Sequence, residues 1–259
     1  METLKVIKIG GNIIDDATSF ATFVKHFASI EGPKILVHGG GNIATEMAIK
    51  MKVDVKMIEG RRVTDKETLD LITMVYAGRI NKKIVASLQS NACNAIGFSG
   101  ADGNAIVAVK RPVKDVDYGF VGDIVKVNTA VLDLLINHNL TPVFSAVTHD
   151  LDGQLLNTNA DTVAAELAVA FAENFHTELY YCFEKKGVLL DVTDENSLVE
   201  NMNQKKYDAL VAHKVIADGM LPKLNNCFYA AQQKVQKVCI GNADMLYNQH
   251  AKFTKIQAT

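Results

Sequence analysis

KILVHGGGN, residues 34–42, decides the fold of this chain. A short apolar run, typical of a buried strand, ends in three consecutive glycines, and an amphipathic helix follows. Only glycine lets backbone N–H groups approach a bulky anion without a Cβ in the way. The helix behind such a turn presents unpaired donors and the positive end of its dipole. Three glycines exceed what a tight turn needs, so the stretch predicts an anion-binding loop between a strand and a helix.

The same arrangement opens the chain. A strand at Leu4–Ile9 leads into Gly10 and Gly11, and a helix with a single apolar stripe then extends to about Gly32. Lys8 lies two positions before the glycine pair, inside a strand that is otherwise largely apolar. A lysine there is costly unless its ammonium group meets a negative group or reaches water at a sheet edge. Two glycine loops and one lysine directed at the same place favour a polyphosphate ligand.

Composition places the chain among ordinary globular proteins. Its 259 residues are 48% apolar and 22% charged, with a formal net charge of −2. This balance gives no basic surface for nucleic acid or for an anionic membrane. The four cysteines show no paired spacing, which is typical of a reducing cytosol and argues against a zinc site. The first residues pass directly into a strand, so we expect no secretory signal and a cytoplasmic protein.

Strand and helix signals alternate along the chain. This alternation predicts an α/β fold, a three-layer αβα sandwich around an open, mainly parallel sheet. We expect a strand near Val53–Met57, and a long helix that begins with Thr64 as its cap and Glu67 completing a capping box. Residues 106–127 alternate with glycines as a β-hairpin does. No Pro- or Ser-rich linker divides the sequence, so we expect a single domain of two lobes.

Two further segments carry charged residues at predicted helix starts. Asn159 is a suitable N-cap for the apolar helix that follows it, and Asp161 in the first turn complements the helix dipole. Lys223 follows Gly219 and Pro222 at the start of a later helix, where a cation is disfavoured without a compensating anion. Two lysines, an aspartate and two glycine loops together favour phosphoryl transfer, which depends on positioning and charge neutralisation. The aspartate taken alone is equally explained by the helix start.

Five motifs occur in an order that resembles the amino-acid kinase family. They are Lys8-x-Gly10-Gly11, His38-Gly39-Gly40-Gly41, Gly60-Arg61-Arg62-Val63-Thr64, Asn157-x-Asn159-Ala160-Asp161 and Asp218-Gly219-Met220-x-Pro222-Lys223. Together they span nearly the whole chain, and they are most similar to the branch of that family that phosphorylates N-acetylated glutamate. Carbamate, aspartate, uridylate and glutamate 5-kinases are the alternatives within the same fold.

The resemblance implies a function for each lobe. Residues 1–157 would bind an N-acylglutamate and form the dimer contact, and residues 158–259 would bind ATP. Mg²⁺ would be held mainly by the ATP phosphates, without a metal site of the protein. The expected product is the acyl phosphate of the γ-carboxylate, an intermediate of arginine biosynthesis. A carboxylate nucleophile is already ionised at neutral pH, so this reaction requires no general base.

The resemblance also implies roles for particular residues. Lys8 and Lys223 would neutralise the transferring phosphoryl group, and Asp161 would hold both lysines in place. The expected substrate-binding residues are Gly40, Gly41, Arg62 and Asn157. The expected phosphate- and ATP-binding residues are Gly10, Gly11, Asn159, Gly187 and Gly219. His38 is expected to pack beneath the glycine turn, because the reaction gives it no proton to move.

The segment 182–187, CFEKKG, departs from the family pattern. Relatives usually carry a hydroxyl–aspartate pair there, close to the nucleotide, and Lys185 and Lys186 are expected to be solvated loop charges. The acyl group of the substrate is acetyl or a longer acidic group such as succinyl. Arg61, Arg79 or Lys82 would serve the additional carboxylate of a longer group, although exposed helix charges explain these residues equally well.

Assembly and rival functions complete the expectations. The chain starts almost at its first strand, which by the resemblance implies a homodimer formed through the long helix after Thr64. A dinucleotide-binding oxidoreductase is the rival enzyme, since GGGNIA at 39–44 satisfies G-x-G-x-x-A and Glu59 lies about twenty residues further on. That account leaves the two lysines and the aspartate without a role. A catalytically silent small-molecule sensor on the same fold is the rival outside the enzymes, and retention of both lysines argues against it.

Overall fold

The backbone is described by a computed structural model for residues 1–58, 60–216 and 219–258. Its strands in sequence order are β1 (Thr3–Ile9), β2 (Lys34–His38), β3 (Met57–Ile58), β4 (Arg61–Arg62), β5 (Ala95–Phe98), β6 (Ile106–Lys110), β7 (Gly122–Val127), β8 (Thr141–Ser145), β9 (Val147–His149), β10 (Leu155–Asn157), β11 (His176–Cys182), β12 (Asn201–Met202), β13 (Lys237–Gly241) and β14 (Thr254–Ile256). Its α-helices are α1 (Gly11–Asp15), α2 (Ala17–Ser29), α3 (Gly41–Met51), α4 (Lys66–Ile72), α5 (Asn81–Gln89), α6 (Thr129–Asn137), α7 (Ala160–Phe171), α8 (Gln204–Ala212) and α9 (Met220–Gln232).

The main sheet has eight strands in the order β12-β14-β13-β11-β1-β2-β8-β5. Neighbours from β13 to β5 run parallel, whereas β14 pairs antiparallel with β13 and parallel with β12. A smaller sheet of order β10-β9-β6-β7 contains the predicted hairpin of β6 and β7. The mainly parallel sheet confirms the predicted α/β class. It also brings the carboxyl ends of β1, β2, β8 and β11 to one edge, where ligands bind in open sheets of this kind.

Helices cover the main sheet. Consecutive residues of β2 and β8 are buried, which requires cover on both faces of a parallel sheet. Helix α7 packs against β1 and β11 and against α9, while α5 packs with α2 and against β5 and β8. One continuous hydrophobic core extends from Leu4 to Ile256. The lobes 1–157 and 158–259 stay a prediction, and they share this core and the sheet, because β1 pairs directly with β11.

The helix between residues 66 and 89 contains a π-helical segment. Helix α4 continues as π turns at Thr73–Ile80 and then as α5. Buried side chains recur there at every fourth position: Thr68, Ile72, Tyr76, Ile80, Ile84 and Leu88. In an α-helix of 3.6 residues per turn, each four-residue step drifts by about 40°. The wider π turns reduce this drift and keep the row of side chains directed at the core.

The predicted strand near Val53–Met57 was wrong over most of its length. Residues 53–56 have no strand structure, and β3 begins only at Met57, paired antiparallel with β4. Val53 and Val55 nevertheless pack against the hydrophobic core. Their alternation therefore reflects one buried side of an irregular segment, without a neighbouring strand to pair with it.

The predicted cap of the long helix was wrong by one residue. Asp65 is the N-cap of α4, and its carboxylate accepts a hydrogen bond from the backbone N–H of Thr68 at 2.8 Å. Thr64 is buried, and its backbone pairs with Tyr118 and Phe120 of a distant loop. This pairing fixes Thr64 in an extended connection, so the next residue with a short acceptor side chain takes the cap position.

Candidate active site

A cleft of about 420 Å³ opens at the carboxyl ends of β1 and β2. Residues from the first turns of three helices contribute to its walls: Gly41 of α3, Ala160 and Thr162 of α7, and Pro222 of α9. The N-terminus of each helix carries unpaired N–H groups and the positive end of a dipole. Three such ends around one cleft favour an anionic ligand.

Lys8, Asp161 and Lys223 form one ion-paired cluster at the cleft. Lys8 Nζ lies 2.7 Å from Asp161 Oδ1, and Lys223 Nζ lies 2.8 Å from Asp161 Oδ2. The three side chains are 11%, 13% and 12% exposed for Lys8, Lys223 and Asp161. The residues come from β1, α9 and α7, and α7 packs directly against both β1 and α9. The structure therefore brings together the three charged residues that were predicted to act together in phosphoryl transfer.

The cluster carries a net positive charge. Burial acts to raise the pKa of Asp161, but the two ammonium groups outweigh it and hold that pKa well below its usual range. Burial also lowers the pKa of Lys8, and Asp161 offsets this only in part. For Lys223 the attraction of Asp161 outweighs burial and raises the pKa. One carboxylate shared by two lysines leaves one uncompensated ammonium charge for an incoming anion.

The second glycine loop is packed from below. Gly40 has φ of 154°, and a Cβ there would collide with the side chain of Ile80 and lie 3.2 Å from the Tyr76 ring. Both contacts come from the π-helical segment. At Gly41 a Cβ would meet nothing within 4 Å. The loop therefore rests directly on the π turns, while its next residue faces the open cleft.

The two glycine loops are tied to each other by Asn42. Its side-chain amide donates to Asp15 Oδ2 at 2.8 Å and to Asn12 Oδ1 at 3.3 Å. Asn12 and Asp15 belong to the helix that follows the first glycine pair, and Asn42 belongs to the helix that follows the second. These hydrogen bonds hold the starts of α1 and α3 side by side. This arrangement agrees with the prediction that the two glycine loops face the same ligand.

The side chain of Arg62 lies against the N-terminal turn of α3. Its Nη2 donates to Gly41 O at 3.2 Å and to Thr45 Oγ1 at 2.9 Å. Its Nη1 is buried and has no acceptor among the described residues. A buried donor without a partner is costly, so Nη1 marks a position where a ligand acceptor fits. Asn157, also in the cleft wall, donates from Nδ2 to Thr64 Oγ1 at 2.9 Å.

The predicted nucleotide-side residues occupy different surroundings. Asn159 lines the cleft and caps α7, accepting from the N–H groups of Asp161 and Thr162. Gly11 also lines the cleft, whereas the N–H of Gly10 donates to Cys182 O at 3.0 Å within the sheet edge. Gly219 is exposed at the start of α9. Asp218 of the same motif, and Glu59 of the oxidoreductase hypothesis, lie outside the described residues.

The segment 182–187 has its own packing. A Cβ on Gly187 would lie 2.5 Å from Thr254 Oγ1, and that hydroxyl accepts from Val188 N and donates to Val199 O. Lys186 pairs with Glu195 at 2.7 Å, and Lys185 donates to a backbone carbonyl at 3.4 Å. The glycine is thus explained by close packing in this structure, and its contact with ATP stays a prediction.

His38 is fully buried beneath the glycine turn. Its Nδ1 lies 2.9 Å from Gly39 O and its Nε2 lies 3.1 Å from Asn81 Nδ2. Burial lowers the pKa of His38 to about 4, so the ring is neutral near pH 7. Both ring nitrogens have partners within the protein, which is the packing role expected from the sequence.

Several residues of the cleft were missed in the sequence. They are Tyr76, Arg111, Asn225 and Asn226. Tyr76 sits in the π turns, and Arg111 follows β6 in the hairpin, so neither is adjacent to a motif along the chain. Asn225 and Asn226 lie two and three residues after Lys223 on the same helix. This proximity to Lys223 was the one feature of the sequence that could have placed them at the cleft. Arg61 lines the cleft as well, whereas Arg79 and Lys82 do not.

Over the described ranges, no helix combines the length and apolar character needed to cross a bilayer. No cluster of three or more His, Cys, Asp or Glu side chains there is arranged to hold a metal ion. Each carboxylate oxygen of Asp161, beside the cleft, already lies within 3 Å of a lysine ammonium group.

Comparison with known proteins gives consistent matches over the whole chain. The amino acid kinase family matches residues 3–242. The acetylglutamate kinase of Cytophaga hutchinsonii is 51% identical, over 95% of this chain and 94% of that protein. The acetylglutamate kinase of Phocaeicola vulgatus is 50% identical, over 92% and 93%. A solved structure of a Streptococcus mutans UA159 protein is 25% identical, with a TM-score of 0.82 over 99% of both chains.

Proposed function

The chain belongs to the amino acid kinase family, and we propose that it transfers the γ-phosphoryl group of ATP to the γ-carboxylate of N-acetyl-L-glutamate in arginine biosynthesis. Relatives that are 51% and 50% identical over nearly their full length carry the name acetylglutamate kinase. The observation that carries the proposal is the pair of ammonium groups of Lys8 and Lys223 on Asp161, beside a cleft bordered by glycine loops.

The lysines supply the charge that the transfer needs. A carboxylate oxygen attacks the γ-phosphorus, the bond to the bridging oxygen breaks, and ADP leaves with that oxygen. Negative charge accumulates between two anions, and Lys8 and Lys223 would neutralise it from fixed positions. Because Asp161 already holds both side chains, little reorganisation is required during the reaction. No proton is transferred in this step, which agrees with a neutral His38 that does not line the cleft.

The substrate would be held by its α-carboxylate and by backbone amides. The buried Nη1 of Arg62 has no acceptor among the residues that the structure describes, and a substrate carboxylate suits its guanidinium group. Asn157, which also lines the cleft, would bind the α-carboxylate or the acyl amide. The N–H groups of Gly40 and Gly41, at the start of α3, would orient the γ-carboxylate for attack.

ATP would enter from the side of residues 158–259. Gly11 and Asn159 line the cleft, Gly219 lies exposed at the start of α9, and the backbone and amide groups of these residues would contact the phosphates. Gly10 and Gly187 are the weaker candidates, because the N–H of Gly10 is used by the sheet and Gly187 is packed against Thr254. The altered 182–187 segment would then contribute backbone contacts to the nucleotide.

Mg²⁺ would arrive bound to the nucleotide. The only acidic residue of the lysine cluster is neutralised by two ammonium groups, so it offers no free oxygen to a metal ion. The ATP phosphates therefore supply the ligands, and the bound ion contributes neutralisation of their charge. The chain's own part in this arrangement is to hold the lysines and the glycine amides.

We further propose a homodimer in the cytoplasm. Met74, on the outer side of the helix between residues 66 and 89, is 54% exposed. An exposed apolar side chain in the single chain is expected at a position that a second subunit covers. Substitution of Met74 by Glu should shift the mass measured by light scattering from dimer to monomer. An unchanged dimer would place the contact elsewhere, and a monomeric parent protein would remove the proposal.

A substrate panel tests the proposed function. Glutamate, N-acetyl-L-glutamate, ATP and Mg²⁺ are combined with the purified protein, ADP release is followed, and acyl phosphate is trapped with hydroxylamine. We expect turnover of the N-acylated substrate, none of free glutamate, and a loss of about two or more orders of magnitude in kcat for Lys8→Ala or Lys223→Ala. Ligand binding without ADP release would favour the silent sensor, and absence of both would refute the proposal.

A further inference from the structure

Two arginines that line the cleft, Arg61 and Arg111, have no role in the proposed binding of N-acetyl-L-glutamate and ATP. Four cationic side chains line it, those of Lys8, Arg61, Arg62 and Arg111, and no acidic side chain of the described residues lines it. Two of the four have a carboxylate partner outside the lining, because Lys8 pairs with Asp161 and Arg111 pairs with Asp123. N-acetyl-L-glutamate has two carboxylates. In the proposed reaction one meets the phosphoryl group beside Lys8 and the other meets Arg62. Arg61 and Arg111 are therefore left without an anionic group of the substrate.

Arg111 is held in a fixed orientation with one edge unused. Its Nε and Nη2 donate to Asp123 Oδ1 at 3.0 and 2.6 Å, and its guanidinium lies 5.7 Å from the centre of the Tyr118 ring. The side chain is 25% exposed. Within the part of the chain that the structure describes, Nη1 of Arg111 makes no hydrogen bond to protein. An arginine fixed by one carboxylate is prepared to bind a second one in a defined direction.

The position of Arg111 places it on the substrate side of the cleft. Its backbone N–H donates to Val121 O, and Val121 is bridged to Asn157. Val121 and Asn157 both line the cleft. Arg61 reaches the same region from β4, as the residue directly before Arg62. The two unassigned arginines thus lie next to the residues proposed to hold the α-carboxylate and the acyl amide.

Space continues beyond these arginines. A second cavity of about 440 Å³ shares Arg61 and Arg111 with the first, and Lys114 and Tyr118 extend it. Asp115 and Asp123 also line this cavity, and Asp123 is the partner of Arg111, which leaves three cationic and two acidic side chains around it. An acetyl group ends in a methyl group and brings no charge to the shared arginines. An acyl chain longer by a methylene and a carboxylate would bring a third negative charge to the shared arginines.

We propose that Arg61 and Arg111 bind a carboxylate at the end of the substrate's N-acyl group. The preferred substrates would then be glutamates acylated by a dicarboxylic acid, with N-succinyl-L-glutamate as the shortest convenient member. The inference rests on the proposed function for the chemistry of phosphoryl transfer, and it changes only the group recognised at the far end of the cleft. Arg79 and Lys82, which line neither cavity, have no part in it.

The test compares N-succinyl-L-glutamate with N-acetyl-L-glutamate on the full chain. Values of kcat/KM are measured with ATP and Mg²⁺, and dissociation constants are measured by calorimetry without nucleotide. We expect the succinyl compound to be favoured at least tenfold, equivalent to about 1.4 kcal/mol. Arg111→Gln should reduce this ratio at least tenfold. Arg61→Gln serves as a second variant if Arg111→Gln does not fold, and Arg79→Gln is the matched control that keeps the ratio.

Each outcome decides a different point. Equal or better use of the acetyl compound would overturn the inference while leaving the proposed function intact. A succinyl preference that survives both arginine substitutions would also overturn it, because recognition would then lie elsewhere. Tighter binding of the succinyl compound that depends on Arg111, but without turnover of either compound, would support the inference and refute the proposed function. Absence of both binding and turnover would refute both.

Discussion

Lys8→Met should change the free energy of unfolding in opposite directions in two backgrounds. In the native chain Lys8 is one of two cations on Asp161, at 2.7 Å, and its removal leaves that buried carboxylate with a single partner. Removing one partner of a buried charged group lowers stability by about 2 kcal/mol. In the Asp161→Asn background no carboxylate offsets the repulsion between the ammonium groups of Lys8 and Lys223. Removing Lys8 should therefore raise the free energy of unfolding.

The size of the second effect follows from Coulomb's law. Two ammonium groups that share one carboxylate lie on the order of 5 Å apart, and at an effective dielectric constant of about 20 they repel by about 3 kcal/mol. Lys8→Met should therefore stabilise the Asp161→Asn protein by about 2 to 3 kcal/mol. Desolvation adds to this effect, because burial already lowers the pKa of Lys8.

Urea denaturation of the four proteins at pH 7 measures both effects as a double-mutant cycle. The matched control is the pair Lys234–Glu173, whose side chains are 76% and 78% exposed at a distance of 3.6 Å. A cycle of Lys234→Met and Glu173→Gln should show a coupling within about 0.5 kcal/mol. If Lys8→Met destabilises both backgrounds by the same amount, the two lysines do not interact through Asp161 and the electrostatic account of the site is wrong.

Three further outcomes follow from the site. The pKa of Asp161 in the folded state is held below its ordinary value of 3.8. The stability that its ionised form contributes is therefore complete above pH 3.8 and is lost as the pH falls below that value. The difference in unfolding free energy between the parent and Asp161→Asn should narrow from pH 6 to pH 3, and a constant difference would contradict this. Gly40→Ala should lower the unfolding free energy by about 1–3 kcal/mol through overpacking, whereas Gly41→Ala, whose Cβ meets open space, should change it by less than about 0.5 kcal/mol; equal losses in thermal or urea unfolding would refute the packing argument. Asn159→Ala and Asn203→Ala should each cost about 1 kcal/mol as lost N-caps, but only Asn159→Ala should also lower kcat/KM for ATP.

Much of the architecture was predictable, because local signals and global fold agree in the strands next to the site. The apolar runs at 4–9 and 34–38 end in glycines, and both became central parallel strands with loops at one edge. Lys8 and Lys223 were each unfavourable in the sequence without a nearby anion, and the resemblance to the amino acid kinase family implied that Asp161 holds both. Three charged residues distant in sequence thereby constrained one another.

Other features were decided by tertiary contacts that leave weak local signals. Thr64 lost its predicted cap position because its backbone pairs with a loop more than fifty residues away. Arg111 belongs to the cleft only because the β6–β7 hairpin folds back beside Asn157. The π turns were encoded by the four-residue spacing that includes Ile72, Tyr76 and Ile80, a period that a search for 3.6-residue stripes does not separate from an ordinary helix.

The π-helical segment makes chain length itself a determinant of this site. Each residue of an α-helix advances the side-chain direction by about 100°, so deleting one residue from Thr73–Ile80 would rotate everything after it by roughly a quarter turn. Ile84 and Leu88 would then face water, and the support under Gly40 would move away from the loop. Insertions and deletions are often tolerated in surface loops, but they should be selected against within Thr73–Ile80. Homologues should therefore differ in length mainly outside this segment.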